Sequence, residues 1–153
     1  MTKNYDHELT QFVEDMGLLT EGEGLPRIAG RIIGLLIVED EPVGFSALSE
    51  RLQVSRASIS TNTRLLQTLG VIERLTRPGE RQDYFQIAAN PYLRFLQGAS
   101  DRLAKSKAVV QQAQTTLGRR HEKAGKRLDE LFAYFNAVGG MYETLVKRFA
   151  EKD

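Results

Sequence analysis

The chain has 153 residues with a formal net charge of +1, 41% hydrophobic and 27% charged. That length suits one compact domain, or a small domain with a helical arm, and can bury a core without disulfides or metals. There is no cysteine and there are only two histidines, which excludes disulfide scaffolds, thiolate metal sites, thiol catalysis and multi-histidine metal centres. No cofactor is expected. The longest apolar run, Ile32 to Val38, falls far short of the roughly 20 residues of a spanning helix. The N-terminal residues lack a basic stretch followed by an apolar one, so the expectation is a cytoplasmic protein with no membrane partner.

The first 24 residues are expected to form a helix and a linker. Leu9, Phe12, Val13 and Met16 fall on one face of a helix over Asn4 to Leu19, and Gly17 with Thr20-Glu21-Gly22-Glu23-Gly24 ends it. The segment 25–89 reads as a domain. Pro26 suits the first turn of a helix whose buried face is Ile28, Ile32, Leu35, Leu36 and Val38, and Asp40-Glu41-Pro42 breaks it. Val43-Gly44-Phe45 is a short extended piece. Ser46 is the expected N-cap of a helix over Ala47 to Leu52, and Ser55 that of a helix over Arg56 to Leu69, which Gly70 stops. After Gly70 the period becomes two. Val71 to Thr76 and Asp83 to Ala88 are strands of a hairpin with its turn at Arg77-Pro78-Gly79-Glu80-Arg81.

The segment 90–153 is helical. Leu96, Ala99, Leu103, Ser106, Val110, Ala113 and Leu117 recur at three and four residues. Leu128, Leu131, Phe135, Val138, Tyr142, Leu145 and Phe149 form a strict heptad seam. The phase slips next to Gly118, which fits a turn between two helices better than a stutter in one. Gly139-Gly140 inside the seam marks a close helix contact or a bend.

The fold class that results is mainly α with a small β-hairpin wing: a winged helix-turn-helix flanked by N- and C-terminal helical dimerisation elements. In such a fold the second helix enters the major groove of DNA. Its inner face is Ile59, Leu66 and Leu69, so Arg56, Ala57, Ser60, Thr61 and Arg64 face outward. Small hydroxyl side chains allow close approach, and arginine reads guanine or grips phosphate. Ser55 and Ser58 sit where the N–H groups and helix dipole favour a phosphate, although both also serve as capping residues. Asn62, on the inner flank, is as readily a buried hydrogen-bonder as a DNA contact. Arg77 and Arg81 at the wing tip suit a narrow minor groove, unless Arg81 pairs with Glu80 or Asp83. Every basic residue between Lys3 and Lys105 is arginine, whereas Lys105 to Arg127 is rich in both cations and suits either phosphate contact or a solvated arm.

The run Leu48 to Ser60, followed by Leu69-Gly70-Val71-Ile72-Glu73-Arg74, resembles the MarR superfamily of winged helix-turn-helix transcriptional regulators. Ser58 to Leu66, Pro78-Gly79-Glu80-Arg81 and Gly30 to Leu36 are similar to its GbsR-like branch. The resemblance covers about Phe12 to Leu96. It implies a sequence-specific repressor that binds double-stranded DNA at a pseudo-palindromic operator as a homodimer, with a small-molecule effector as a further partner. It carries the recognition role to Ser55, Arg56, Ser60, Thr61 and Arg64, and the wing role to Arg81 and Arg77. Gly79-Glu80 departs from the acidic residue that leads the wing tip in other members.

The heptad seam independently calls for a partner surface. Phe132, Tyr134, Phe135 and Tyr142 could instead cage a quaternary amine, but aromatic residues at this spacing more often form core and interface. No phosphate-binding loop, His-Glu-x-x-His or Gly-x-Ser-x-Gly motif is present, so no enzyme is expected. The alternative from another class is a winged-helix module that binds protein and not DNA.

Overall fold

Glycine brings the first two helices together. A computed structural model describes residues 2–151. Helix α1 (Thr2–Gly22) packs along α2 (Arg27–Val38), and at Gly30 a Cβ would stand 2.3 Å from the Met16 carbonyl oxygen and from Thr20 Oγ1. Only a residue without a side chain admits that approach. α1 therefore runs on through Gly17 to Gly22, past the expected end at Leu19, and the link to α2 is correspondingly shorter. The composition of residues 20–24 suggested a flexible linker. Packing against α2 overrides it, and the helix closes where Leu25 N–H reaches the Thr20 carbonyl and Gly24 adopts φ +84°.

α2 buries Ala29, Ile32, Leu35 and Leu36. The helix-turn-helix follows: β1 (Val43–Gly44), α3 (Phe45–Leu52) and α4 (Arg56–Thr68). β2 (Ile72–Thr76) and β3 (Asp83–Ile87) form the wing hairpin, and β1 pairs with β3 on its other edge, giving an antiparallel sheet in the order β1-β3-β2. One core joins these elements: Val13, Ile32, Leu35, Leu36, Leu48, Leu52, Ile59, Leu66, Ile72 and Phe85 are all buried. Fold class is thus as the sequence indicates, mainly helical with a small antiparallel sheet, and apart from the C-terminal end of α1 the ends of these strands and helices lie within a residue or two of expectation.

The chain divides into two units, Met1–Pro91 and Tyr92–Asp153. The second unit consists of α5 (Pro91–Ala113), a π-helical turn (Gln114–Gly118) and α6 (Glu122–Ala150). The phase slip near Gly118 is therefore a chain reversal between two helices. They run antiparallel: Gln114 Nε2 donates to Asp129 Oδ1 at 2.7 Å, Lys107 lies 5.3 Å from the Phe132 ring centre, and a Cβ on Gly139 would sit 3.6 Å from Leu103. α6 passes unbroken through Gly139-Gly140, so that pair does not break the helix; Gly139 faces Leu103 at ordinary contact distance and Gly140 has no neighbour at its Cβ position. None of the 29 residues of α6 is buried.

Candidate nucleic-acid interface

α4 is built to leave one face free. Ile59, Asn62, Thr63 and Leu66 are its buried residues and anchor it on α2 and α3. Opposite them Arg56, Ala57, Thr61 and Arg64 are exposed, with Ser60 half-buried beside them. Arg64 Nη2 lies 3.5 Å from Ser60 Oγ, a long contact that leaves the guanidinium free to reach outward.

The N-terminus of α4 is capped as expected. Ser58 N–H donates to Ser55 Oγ at 3.1 Å, and the two hydroxyls lie 3.0 Å apart. The sequence RASISTNTRLLQT contains no acidic residue. An anion at this helix end therefore meets partial positive charge and two hydroxyls, with no like charge on the helix.

Two arginines are held by aromatic rings. The Arg56 guanidinium stacks 4.6 Å from the Phe45 ring centre and donates through Nη1 to Ser46 Oγ at 3.1 Å. Arg77 lies 4.0 Å from the Tyr84 ring centre. Stacking fixes each plane while leaving N–H groups to donate elsewhere. Phe45 and Ser46 are functional neighbours that the sequence did not reveal. They lie ten residues or more from Arg56, and no helical period links positions across a turn.

Ser46 is a correction as well. α3 begins at Phe45 with Gly44 as N-cap, and no side chain of the cap residue closes it. Gln82 contributes instead, its Oε1 accepting from Ser46 N–H at 3.4 Å. Pairing of β1 with β3 draws Gln82 over this helix end, and so frees the Ser46 hydroxyl for Arg56.

Asn62 needs correcting too. It is only 6% exposed, and Nδ2 donates to the Ser58 carbonyl at 2.9 Å. It braces the first turns of α4 from within and does not reach the outer face, so it leaves the set of base-contacting candidates. Its Oδ1 is buried without a hydrogen-bond partner.

At the wing tip, Pro78 and Gly79 occupy the centre of a turn closed by Glu80 N–H to the Arg77 carbonyl at 3.1 Å, and Gly79 has φ +80°. Proline then glycine is the signature of a type II turn, in which the second central residue must take positive φ. Arg81 is exposed and has no ion pair among the described residues. The acids that might have neutralised it are engaged elsewhere: Asp83 lies 3.4 Å from Arg74, and Glu80 accepts from the Tyr84 hydroxyl. Arg56, Ser58, Ser60, Thr61 and Arg64 therefore lie on α4 with Ser55 as its N-cap, and Arg77 and Arg81 lie at the wing tip.

No family model matches the chain. It is 33% identical over 154 residues to the HTH-type transcriptional regulator MmpR5 of Mycobacterium tuberculosis, covering 95% of this chain and 92% of that protein. Over 91 residues, 60% of this chain and 47% of the relative, it is 24% identical to the HTH-type transcriptional repressor OpcR of Bacillus subtilis. A solved structure of a transcriptional regulator superposes with a TM-score of 0.83 at 29% identity, covering 94% of this chain and 99% of that one. Similarity along nearly the whole chain, together with a winged helix-turn-helix whose outer face is free and cationic, means that the chain belongs to the HTH-type transcriptional regulators: it is a DNA-binding regulator of transcription.

Proposed function

We propose that the protein is a cytoplasmic repressor of the MarR superfamily, GbsR-like branch, that binds a pseudo-palindromic operator as a homodimer. The observation that carries the reading is the outer face of α4: an N-cap serine, small hydroxyls and two arginines, without an acid, beside a wing tip where Arg77 is stacked on Tyr84 and Arg81 is exposed. In this reading Arg64, Arg56, Ser60 and Thr61 face base edges and phosphates in the major groove. Ser55 and Ser58 receive a phosphate at the helix N-terminus, and Arg81 and Arg77 reach the minor groove.

Homodimerisation draws its support from α6. A helix of 29 residues with no buried side chain carries Leu128, Phe135, Val138, Tyr142, Leu145 and Phe149 half-buried and Leu131 40% exposed. Such a stripe is stable when a second copy covers it. Two recognition helices would then lie about 34 Å apart, one turn of DNA. Residues 1–24 and 90–153 are the dimerisation elements in this scheme and 25–89 the DNA-binding domain. A repressor role, which the name of OpcR gives that relative, and a small-molecule effector complete the proposal.

Fluorescence anisotropy against random duplex, titrated over salt and read beside the solution mass, tests it. A dimer whose affinity falls steeply with salt, as counterion release requires, supports the reading. Absence of binding at low salt refutes it and leaves a protein-binding module. Selection from a random library then yields the operator.

A further inference from the structure

α1 and the helix-turn-helix are joined through one side chain. Arg31, on α2, donates from Nε to Glu14 Oε1 of α1 at 2.7 Å and from Nη2 to the Leu52 carbonyl at 2.9 Å. The second carboxylate oxygen of Glu14 accepts from Arg27 Nη2 at 3.0 Å, so both of its oxygens are engaged. The guanidinium is well covered, its side chain 19% exposed.

Both ends of this link are specific places. Leu52 is the last residue of α3, and the next, Gln53, takes the left-handed conformation with φ 53°. That bend is the turn of the helix-turn-helix. Gln53 and Val54 return their N–H groups to Glu50 and Ser49, while the Leu52 carbonyl, left over at the helix end, is held by Arg31. At the other end, Gly17 lets the arginine stems cross α1: a Cβ there would stand 2.8 Å from Arg31 Cγ and 3.0 Å from Arg27 Cγ. The glycine that looked like a helix terminator is the slot through which α1 grips α2.

We propose that Arg31 is a positioning residue that ties the turn before the recognition helix to α1, so that the angle at which α4 is presented is set from α1. The guanidinium is a rigid planar fork with donors on separate edges. It can hold a carboxylate and a carbonyl at once and transmit a shift of either. A lysine ammonium, on a flexible stem, serves one or the other without fixing their relative orientation. The inference rests on the reading that α4 contacts DNA and that the chain works as a dimer with α1 among its dimerisation elements.

The test uses the full chain and a set of duplexes carrying the selected operator with its half-sites at native spacing, one base pair closer and one base pair further apart. Arg31→Met keeps a stem in the Gly17 slot and removes every donor. Glu14→Gln, a second and milder variant, removes the charge that holds Arg31. Affinity is measured per active dimer, with solution mass and melting temperature beside it. The wild type is expected to lose about tenfold on either altered spacing, as for a mismatched site. Arg31→Met is expected to lose about tenfold on the native spacing and to discriminate less than about threefold between spacings, with the mass of a dimer. Glu14→Gln flattens the profile in the same direction. A flatter profile is the decisive readout, because a destabilised protein weakens binding to all three duplexes equally. An unchanged profile in both variants, or an equal loss on every duplex with a lower melting temperature, overturns the positioning role and leaves Arg31 as a stabilising clamp. Wild type that binds none of the duplexes overturns the DNA reading itself, and is seen before any variant is tried.

Discussion

Gly30→Ala isolates the helix contact on which α1 depends. On propensity alone the change favours a helix by about 1 kcal/mol. The structure opposes it, because the new Cβ would stand 2.3 Å from the Met16 carbonyl oxygen and from Thr20 Oγ1 and 2.6 Å from Thr20 Cβ. Thr20 Oγ1 already donates to that same carbonyl at 2.7 Å, so neither atom can turn aside without breaking a hydrogen bond. Ordinary carbon–oxygen contact requires α1 to retreat by about 1 Å, and close-packed interiors charge roughly 1–3 kcal/mol for such overpacking. The backbone acceptor puts this site at the upper end, for a net loss of about 2 kcal/mol. In a chain of this size that lowers the melting temperature by about 4–8 °C. Urea denaturation and thermal scans at fixed chain concentration, followed by far-UV circular dichroism, measure it. Gly22→Ala is the control: nothing lies within 4 Å of its Cβ position, so the same chemical change should be neutral or stabilising there. A Gly30→Ala protein as stable as the wild type would refute the argument that glycine is required by the approach of α1.

Other expectations are more local. Ser55→Ala removes the acceptor for Ser58 N–H and should cost about 1 kcal/mol, read by denaturant melts. Gln53→Gly relieves a left-handed, exposed residue and should stabilise by about 0.5–1 kcal/mol in the same assay. Arg64→Ala should lower operator affinity by about tenfold while the solution mass stays that of a dimer, and unchanged affinity would remove Arg64 from the readout. Leu145→Glu puts a charge in the stripe of α6 and should shift the sedimentation profile toward monomer, whereas an unaltered dimer would move the interface off this face.

The parts of the fold that were legible in sequence were those with a clean local period. Ser55 before an apolar repeat gives α4, and Arg77-Pro78-Gly79 between two β-rich runs gives the wing. The parts that were not legible depend on what lies across a gap. Gly17 reads as a helix breaker because its partner, α2, is invisible to a one-dimensional pattern. Asn62 sits on the boundary between faces, and a rotation of a few tens of degrees decides between groove and core. Ser46 looks like a cap until β1 pairs with β3 and brings Gln82 to do part of that work. Among the candidate DNA contacts, positions could be read from the helical wheel. The rings that hold Arg56 and Arg77 could not, since stacking partners meet only once the sheet has formed.

Strand β1 has a kinetic consequence out of proportion to its two residues. Its pairing of Val43 with Phe85 and Gly44 with Tyr84 closes a loop that contains α3, α4 and β2, whereas the β2–β3 hairpin closes over one turn. Loop closure costs entropy before the contact it permits returns anything, so the hairpin can zip early and β1 must wait for both helices. The last sheet pairing to form is then the one that carries Gln82 to Ser46 and sets the ring of Phe45 beneath Arg56. A nascent chain would hold a formed hairpin, with Arg77 already on Tyr84, well before Arg56 is oriented, so competence to grip DNA should trail secondary structure in a refolding experiment.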